Sequence, residues 1–144
     1  MLVEASCRRE KRISLQHDPG KYDAAFERVR EALAVPIVSP DGKLKRQVCS
    51  CLAQICKHSV DLAEVVVEAE IFPQILNLLK DMDVYVRKNA ATCIREVAKH
   101  TPELAQLIVN AGGVGAMVDY VTEATGNARL PGIMTLGYIS AFSE

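Results

Sequence analysis

The sequence predicts an all-α, right-handed solenoid of about two and a half helical repeats. The chain repeats itself once: Lys57–Val67 reads KHSVDLAEVVV, and 42 residues later Lys99–Val109 reads KHTPELAQLIV. The register holds without a gap on either side, so that Cys51 aligns with Cys93. Within each copy, apolar residues recur three and four positions apart, which is the period of an amphipathic helix. Repeats of roughly 40–47 residues are typical of helical units that bury their apolar faces against their neighbours.

The first helix of each repeat is predicted from its capping residues. Ser59 is placed to cap the first copy, with the carboxylate of Asp61 near the positive end of the helix dipole. In the second copy Thr101 caps and Pro102 occupies the first helical position, where the missing N–H costs little. We expect these helices to end near Glu70 and at Gly112-Gly113, because glycine readily adopts the left-handed conformation that closes a helix.

Two more helices complete each repeat. The second helix is predicted at Pro73–Lys80 and again at Gly115–Thr122. The third and longest helix is predicted at Tyr85–Lys99, with copies at Leu44–Lys57 and Ala128–Ala141. Three helices in 42 residues predict an armadillo-type solenoid. The core positions of the third helix are Val86, Ala90, Cys93, Ile94 and Val97.

The repeat register also predicts the domain organisation. Residues 1–38 do not follow it and form a non-repeat leader, with one amphipathic helix expected between Asp18 and Ala34. Residues 39–57 form a partial repeat, 58–99 and 100–141 form two repeats, and 142–144 form a truncated end. Because Phe142 to Glu144 align with the start of the next unit, we expect a fragment or truncated form of a longer solenoid. A natural short protein whose open end is covered by a partner is the alternative.

Composition excludes several classes of protein. Hydrophobic residues make up 49% and charged residues 24%, which is typical of a folded globular protein. The net charge of −1 gives no general field that would attract nucleic acid or an anionic membrane. The sequence has neither an apolar run long enough to span a bilayer nor a signal peptide. Five cysteines, an odd number, favour reduced thiols inside the cell.

Three long, irregular strings of residues resemble a known family. They are Lys57–Pro73, Arg95–Asn110 with the AGGV that follows, and Gly126–Tyr138 (GNARLPGIMTLGY). They resemble the armadillo-repeat proteins of the axonemal central apparatus, and the resemblance covers about Pro40 to Glu144. It implies a non-enzymatic scaffold of the cilium or flagellum, associated with microtubules and needed for motility. It also implies a location in the cytoplasm and cytoskeleton, with central-pair proteins and tubulin as candidate partners.

Clusters that could carry chemistry have simpler structural interpretations. Cys49, Cys51, Cys56 and His58 could suggest a zinc site, but their spacing on a helix sends the first two cysteines about 200° apart. Core cysteines are the preferred interpretation. His58 and His100 recur at the ends of third helices, where a histidine can interact with the last carbonyl groups. We therefore predict no catalytic site, no metal site, no cofactor and no small-molecule substrate.

A peptide-binding groove is the remaining functional hypothesis. In the importin-α type of armadillo solenoid, tryptophan and asparagine ladders on the third helices bind basic peptides. The tryptophan positions here are Ser50, Thr92 and Met134, and the asparagine positions are Gln54, Glu96 and Tyr138, so both ladders are absent. A basic row stands instead at Lys45, Arg87 and Arg129.

Such a row could bind an acidic partner such as the C-terminal tail of tubulin. The alternatives are a general armadillo adaptor for an acidic extended peptide, and ordinary solvated charges. The candidate partner-binding residues are Lys45, Arg46, Arg87, Lys88, Arg129, Thr92 and Glu96.

Overall fold

The computed structural model describes residues 28, 31–32, 36–37, 39–68 and 71–143. Contacts divide the chain into two units, Met1–Leu33 and Ala34–Glu144, and every helix discussed below lies in the second. The predicted amphipathic helix between Asp18 and Ala34 falls outside the described residues, apart from Arg28, Glu31 and Ala32, which are helical. The predicted helix end at Glu70 and the last residue of the predicted truncated end also fall outside them.

Seven α-helices and one 3-10 turn are described in the second unit, and the described residues contain no strand. This all-helical architecture confirms the predicted fold class. In chain order the elements are α1 Gly42–His58, α2 Val60–Glu68, α3 Ile71–Leu78, α4 Val84–Ala98, α5 Pro102–Asn110, α6 Gly113–Glu123, the 3-10 turn Gly126–Arg129, and α7 Leu130–Phe142.

The ends of these helices follow from local chemistry. Ser59 Oγ accepts a hydrogen bond from Leu62 N at 3.1 Å, and Thr101 Oγ1 accepts one from Leu104 N at 3.2 Å. Both residues therefore act as the predicted N-caps. Gly112 follows α5 with φ +81°, the left-handed conformation that the sequence predicts for the end of this helix.

Several predicted helix starts differ from the structure: α1 begins at Gly42 and α6 at Gly113, each two residues before the predicted start. The helix α3 begins at Ile71, so that Pro73 lies inside its first turn, where its missing N–H has no partner to lose. The last third helix is not continuous from Ala128: a 3-10 turn comes first, and Tyr120 Oη donates to the carbonyl oxygen of Ala128 in that turn. Pro131 then stands in the first turn of α7.

The core is built around the third helices α1, α4 and α7. The helix α4 packs against both α1 and α7, and it also contacts α2, α3 and α5. The five core positions predicted for it are all fully buried, as are Ala91 and Ala98. Small side chains at Ala90, Ala91 and Cys93 permit the close approach of its neighbours.

The described helices were compared with the length and apolar content that a membrane-spanning helix needs. No single one of them is long and apolar enough to cross a bilayer. The helices α5 and α6 reach that length only together, and they are bent by 82° at the break between them.

Gly132 allows α7 to lie directly on α6. A Cβ atom there would meet Val121 Cγ2 at 2.5 Å and Tyr120 Cδ1 at 2.9 Å, whereas a Cβ atom on Gly137 would meet nothing within 4 Å. We expect Gly132→Ala to lower the free energy of unfolding by about 1–3 kcal/mol, because the two helices must separate. Gly137→Ala, the matched control, should raise it by about 0.5–1 kcal/mol through helix propensity. Urea unfolding measures both, and equal effects would contradict this packing.

Candidate binding surface

The stacking of α1, α4 and α7 places equivalent positions of the 42-residue repeat in rows across the three helices. On α4 the row that reaches solvent is spaced four, three and four residues apart, which is one face of a helix. We call it the α4 stripe, and its members are Lys88, Thr92, Arg95 and Lys99. Lys88 is exposed, and the other three are half-buried. Tyr85, one turn earlier, is exposed on the same face.

The predicted basic row, in contrast, is engaged in contacts within the fold. Lys45 on α1 forms an ion pair with the carboxylate of Asp81, which belongs to the next repeat. Arg87 Nη1 donates to the carbonyl oxygen of the same Asp81 at 2.6 Å. Arg129 Nε donates to the carbonyl oxygen of Ala124 at 2.5 Å. All three cations therefore tie the starts of third helices to the loops beside them.

A second ion pair joins α1 to the start of α4. Arg46 Nε and Nη2 lie 2.9 and 2.5 Å from Asp83 Oδ2, and its guanidinium stands 4.6 Å from the centroid of the Tyr85 ring. The other oxygen of Asp83 caps α4 by accepting from Tyr85 N at 2.9 Å. Hydrogen bonding to Arg46 is the main reason that the pKa of Asp83 lies below its ordinary value.

Two of the three remaining candidate residues on α4, Lys88 and Thr92, behave differently from each other. Lys88, the residue equivalent to Arg46, forms no ion pair in the part of the chain that the structure describes. Thr92 is half-buried, and its hydroxyl donates to the carbonyl oxygen of Lys88 at 2.9 Å. Lys88 is thus a cation that an external ligand can use without breaking an internal ion pair.

Glu96 is a buried carboxylate between two cations of the α4 stripe. It is only 6% exposed, with Arg95 Nη2 at 2.8 Å from Oε1 and Lys99 forming an ion pair with Oε2. Burial alone would raise the pKa of Glu96, but the hydrogen bonds and charges of Lys99 and Arg95 outweigh it and hold the pKa below its ordinary value. Arg95 also reaches the next repeat, since its Nη1 lies 3.8 Å from Met134 Sδ.

The row changes character from α4 to α7. The equivalent positions on α7, here the α7 stripe, are all exposed, and they are Leu130, Met134, Gly137 and Ala141. A cationic stripe therefore stands directly beside an apolar one. Sequence reasoning selected Lys88, Thr92 and Glu96 but missed Tyr85 and Arg95, and it treated Met134 only as a position of the absent tryptophan ladder. The four-three-four spacing from Lys88 to Lys99 was the signal that could have found Arg95.

Of the two recurring histidines, His100 interacts with a helix end, although not with the one that the sequence predicts. His100 Nε2 lies 2.5 Å from the carbonyl oxygen of Cys56, in the last turn of α1. It therefore binds the end of the preceding third helix, not the end of its own helix α4. His58, the equivalent residue on α1, is exposed.

The cysteines correct one sequence prediction. Cys49, Cys56 and Cys93 are fully buried, but Cys51 is exposed, although it occupies the same repeat position as Cys93. Cys93 is buried because α4 packs on α1, and the equivalent side of α1 is open at Cys51. Burial raises the pKa of Cys49 to about 12, so this thiol stays protonated. Among the described residues, no three His, Cys, Asp or Glu side chains lie close enough together to hold a metal ion.

Residues 59–99 match the sequence model of the armadillo/beta-catenin-like repeat. Two engineered proteins of known structure are each 25% identical to this chain: one has a TM-score of 0.68 over 75% of the chain, the other 0.71 over 77%. A designed armadillo repeat protein in complex with the peptide (KR)4 is 21% identical, with a TM-score of 0.71 over 76% of the chain. The chain folds as an armadillo-type solenoid.

This chain covers 26%, 45% and 46% of the lengths of those three structures, in the same order. No curated protein matches its sequence. Armadillo-type solenoids are typically non-enzymatic scaffolds that present an extended surface to other proteins. The rows described above lie on the third helices of such a solenoid.

Glu96 makes a testable contribution to stability. Because its pKa in the folded protein is lowered, folding stabilises the ionised form. This contribution to the free energy of unfolding is complete above the pKa of Glu96 in the unfolded chain, roughly 4.3. It disappears as the pH falls through the lower pKa of Glu96 in the folded protein. We expect Glu96→Gln to lower the free energy of unfolding by about 1–2 kcal/mol at neutral pH and to have little effect in acid.

Urea unfolding of the unmodified chain and of Glu96→Gln, from neutral to acidic pH, measures the difference in their free energies of unfolding. Glu64→Gln is the matched control, because Glu64 is an exposed glutamate on α2. An equal loss of stability for Glu96→Gln at neutral and acidic pH would contradict the ion-pair account.

Proposed function

We propose that this chain is a non-enzymatic protein-binding scaffold whose third-helix surface binds an extended acidic segment of a partner. The observation that carries the proposal is the charge of the α4 stripe. It has three cations, Lys88, Arg95 and Lys99, and the carboxylate beside them is buried and already paired. The exposed face is therefore positive although the chain as a whole has a net charge of −1.

The neighbouring α7 stripe adds apolar residues to this binding surface. Leu130 and Met134 are exposed apolar side chains that lie beside the cations of α4. An extended peptide that crosses both helices would place acidic residues on α4 and apolar residues on α7. Exposed apolar side chains in a row are a common feature of protein-binding surfaces.

The designed protein with a similar fold binds (KR)4, a strongly basic peptide. The present surface favours the opposite charge. Glu96 offers no free carboxylate to a basic ligand because Arg95 and Lys99 already hold it. We propose that the third helices of this chain form its peptide-binding face, and that the charge of this face decides which peptide is bound.

The resemblance to sperm-associated antigen 6, an armadillo-repeat protein of the axonemal central apparatus, suggests a setting for this binding. We propose that the chain acts in the cytoskeleton of the cilium or flagellum, with central-pair proteins or tubulin as partners. Tubulin tails are acidic and extended, which agrees with the charge of the α4 stripe. A general adaptor for acidic peptides is the second candidate, and it rests on the same stripe without the axonemal setting.

Reversal of one free charge tests the binding surface. Lys88→Glu should weaken the binding of a fluorescent glutamate-rich peptide at least tenfold, because it replaces an attractive charge with a repulsive one. Lys80→Glu makes the same change in net charge at an exposed position after α3 and should leave affinity within about twofold. Fluorescence anisotropy at low and physiological salt measures both variants. Unchanged binding by Lys88→Glu, or equal weakening by both variants, would contradict the proposed site.

The axonemal setting needs a separate experiment. The full-length protein should localise to cilia and sediment with axonemal microtubules after detergent extraction. Recovery of the protein in the soluble fraction, together with intact binding of the acidic peptide, would favour the general adaptor instead.

A further inference from the structure

We propose that Tyr85 accepts a phosphoryl group from a protein tyrosine kinase, and that the resulting phosphate closes the α4 stripe to acidic partners. Closure of the stripe rests on the proposed function of this surface, whereas phosphorylation of Tyr85 does not. Three features of the structure support both steps: the exposed hydroxyl of Tyr85, the cations on either side of its ring, and the small net charge of the stripe that a phosphate can cancel.

Tyr85 is an exposed aromatic residue at an interior position of the helix stack. It is 62% exposed, although α4 has a third helix on each side, α1 and α7. Its hydroxyl forms no hydrogen bond with the described residues. Tyr120, in contrast, is buried and donates its hydroxyl to the carbonyl oxygen of Ala128. The fold therefore uses the Tyr120 hydroxyl and leaves the Tyr85 hydroxyl open to a second reactant.

The acceptor position is specific to α4. The residues that stand 42 positions before and after Tyr85 are Lys43 and Asn127, which are exposed and carry no hydroxyl. The N–H of Tyr85 belongs to the first helical turn, and the carboxylate of Asp83 is the cap that holds it. The ends of helices open at lower free energy than their middles, so a kinase can bind this segment without unfolding α4.

Cations on both sides of Tyr85 are placed to bind its phosphate. The guanidinium of Arg46 stands 4.6 Å from the centroid of the ring and binds Asp83 through Nε and Nη2. Its third nitrogen, Nη1, donates to no described residue. Lys88 lies one turn after Tyr85 on the same face and forms no ion pair with the described residues. A phosphate in the first turn of α4 would also lie near the positive end of the helix dipole.

The transfer needs no reactant beyond ATP and the kinase. The phenolic oxygen of Tyr85 attacks the γ-phosphorus of ATP, and the bond from that phosphorus to the β,γ-bridging oxygen breaks. ADP leaves, and the phenolic proton passes to a base of the kinase. The nearest carboxylates repel the product little, because Asp81 and Asp83 are already paired with Lys45 and Arg46.

One phosphate cancels the charge that attracts an acidic partner. Lys88, Arg95 and Lys99, together with the buried carboxylate of Glu96, give this face a net charge of about +2. A phosphate on Tyr85 adds a charge of about −1.5 to −2 at neutral pH. It also engages Lys88, the cation that an external ligand would otherwise use. The phosphorylated stripe therefore has no net positive charge to offer to an acidic peptide.

Mapping of the phosphate tests the acceptor without any peptide. The full chain is incubated with ATP, magnesium and a tyrosine kinase of broad specificity, and fragmentation mass spectrometry assigns each phosphate to its residue. Tyr85 should be modified at least tenfold faster than Tyr120, which is buried, and Tyr138, which is half-buried. Tyr85→Phe should abolish the main phosphate, and Tyr138→Phe is the matched control that should retain it. No phosphate on Tyr85, or equal rates at all three tyrosines, would overturn the inference.

The effect on binding is measured with the same fluorescent glutamate-rich peptide that tests Lys88. At low salt, the chain phosphorylated at Tyr85 should bind this peptide at least tenfold more weakly than the unmodified chain, and a phosphatase should restore binding. Tyr85→Phe keeps the ring and loses the acceptor oxygen. It should bind within about twofold of the unmodified chain, both before and after treatment with the kinase. Circular dichroism checks that each form remains folded.

The two steps of the proposal fail in different ways. If the phosphorylated chain binds the peptide as tightly as the unmodified chain does, the closure of the stripe is overturned and the proposed function stands. If the unmodified chain does not bind the peptide, the proposed function fails and the closure fails with it. In that case the mapped phosphate still decides whether Tyr85 is the acceptor.

Discussion

The burial of α4 between α1 and α7 is the constraint on which the rest of the structure depends. Its side chains facing the interior are fully buried, and several of them are no larger than cysteine. Close packing makes this arrangement sensitive to the loss or gain of a single methylene group. Because α4 packs against α1, α7 and the helices of its own repeat, its contact with solvent lies mainly on one side. The α4 stripe is therefore a consequence of the packing.

The contact between α1 and α4 and the contact between α4 and α7 differ in their ion pairs. At the first contact, Asp81 and Asp83 receive Lys45 and Arg46 from the preceding repeat. At the second, the position of Asp83 is taken by Thr125, which cannot form an ion pair with Lys88. The lysine that Thr125 leaves without an anion is the exposed cation of the binding surface. Because threonine replaces aspartate at this position, Arg46 is held in an internal ion pair, whereas its equivalent Lys88 can bind an external ligand.

The fold was largely predictable from the sequence, because the 42-residue period, the caps at Ser59 and Thr101 and the five core positions of α4 are local or periodic signals. The candidate site was less predictable. Repeat position identified Arg87 and Arg129 as cations in a row, but it could not show that nearby carbonyl oxygens already bind them. Cys51 shows the same limit: a repeat position predicts burial only where a neighbouring helix covers it. The partners of His100 and Arg95 depend on contacts between repeats, which no single repeat encodes.

Amide hydrogen exchange tests the central role of α4 most directly, since it reports the free energy of opening each segment. The account predicts that amides in the middle of α4 exchange only by global unfolding, with the highest opening free energies among the described helices. The amides of α7, which has a single third-helix neighbour, should exchange through smaller openings. Exchange of α4 through a partial opening, while α1 or α7 stays protected, would contradict the account.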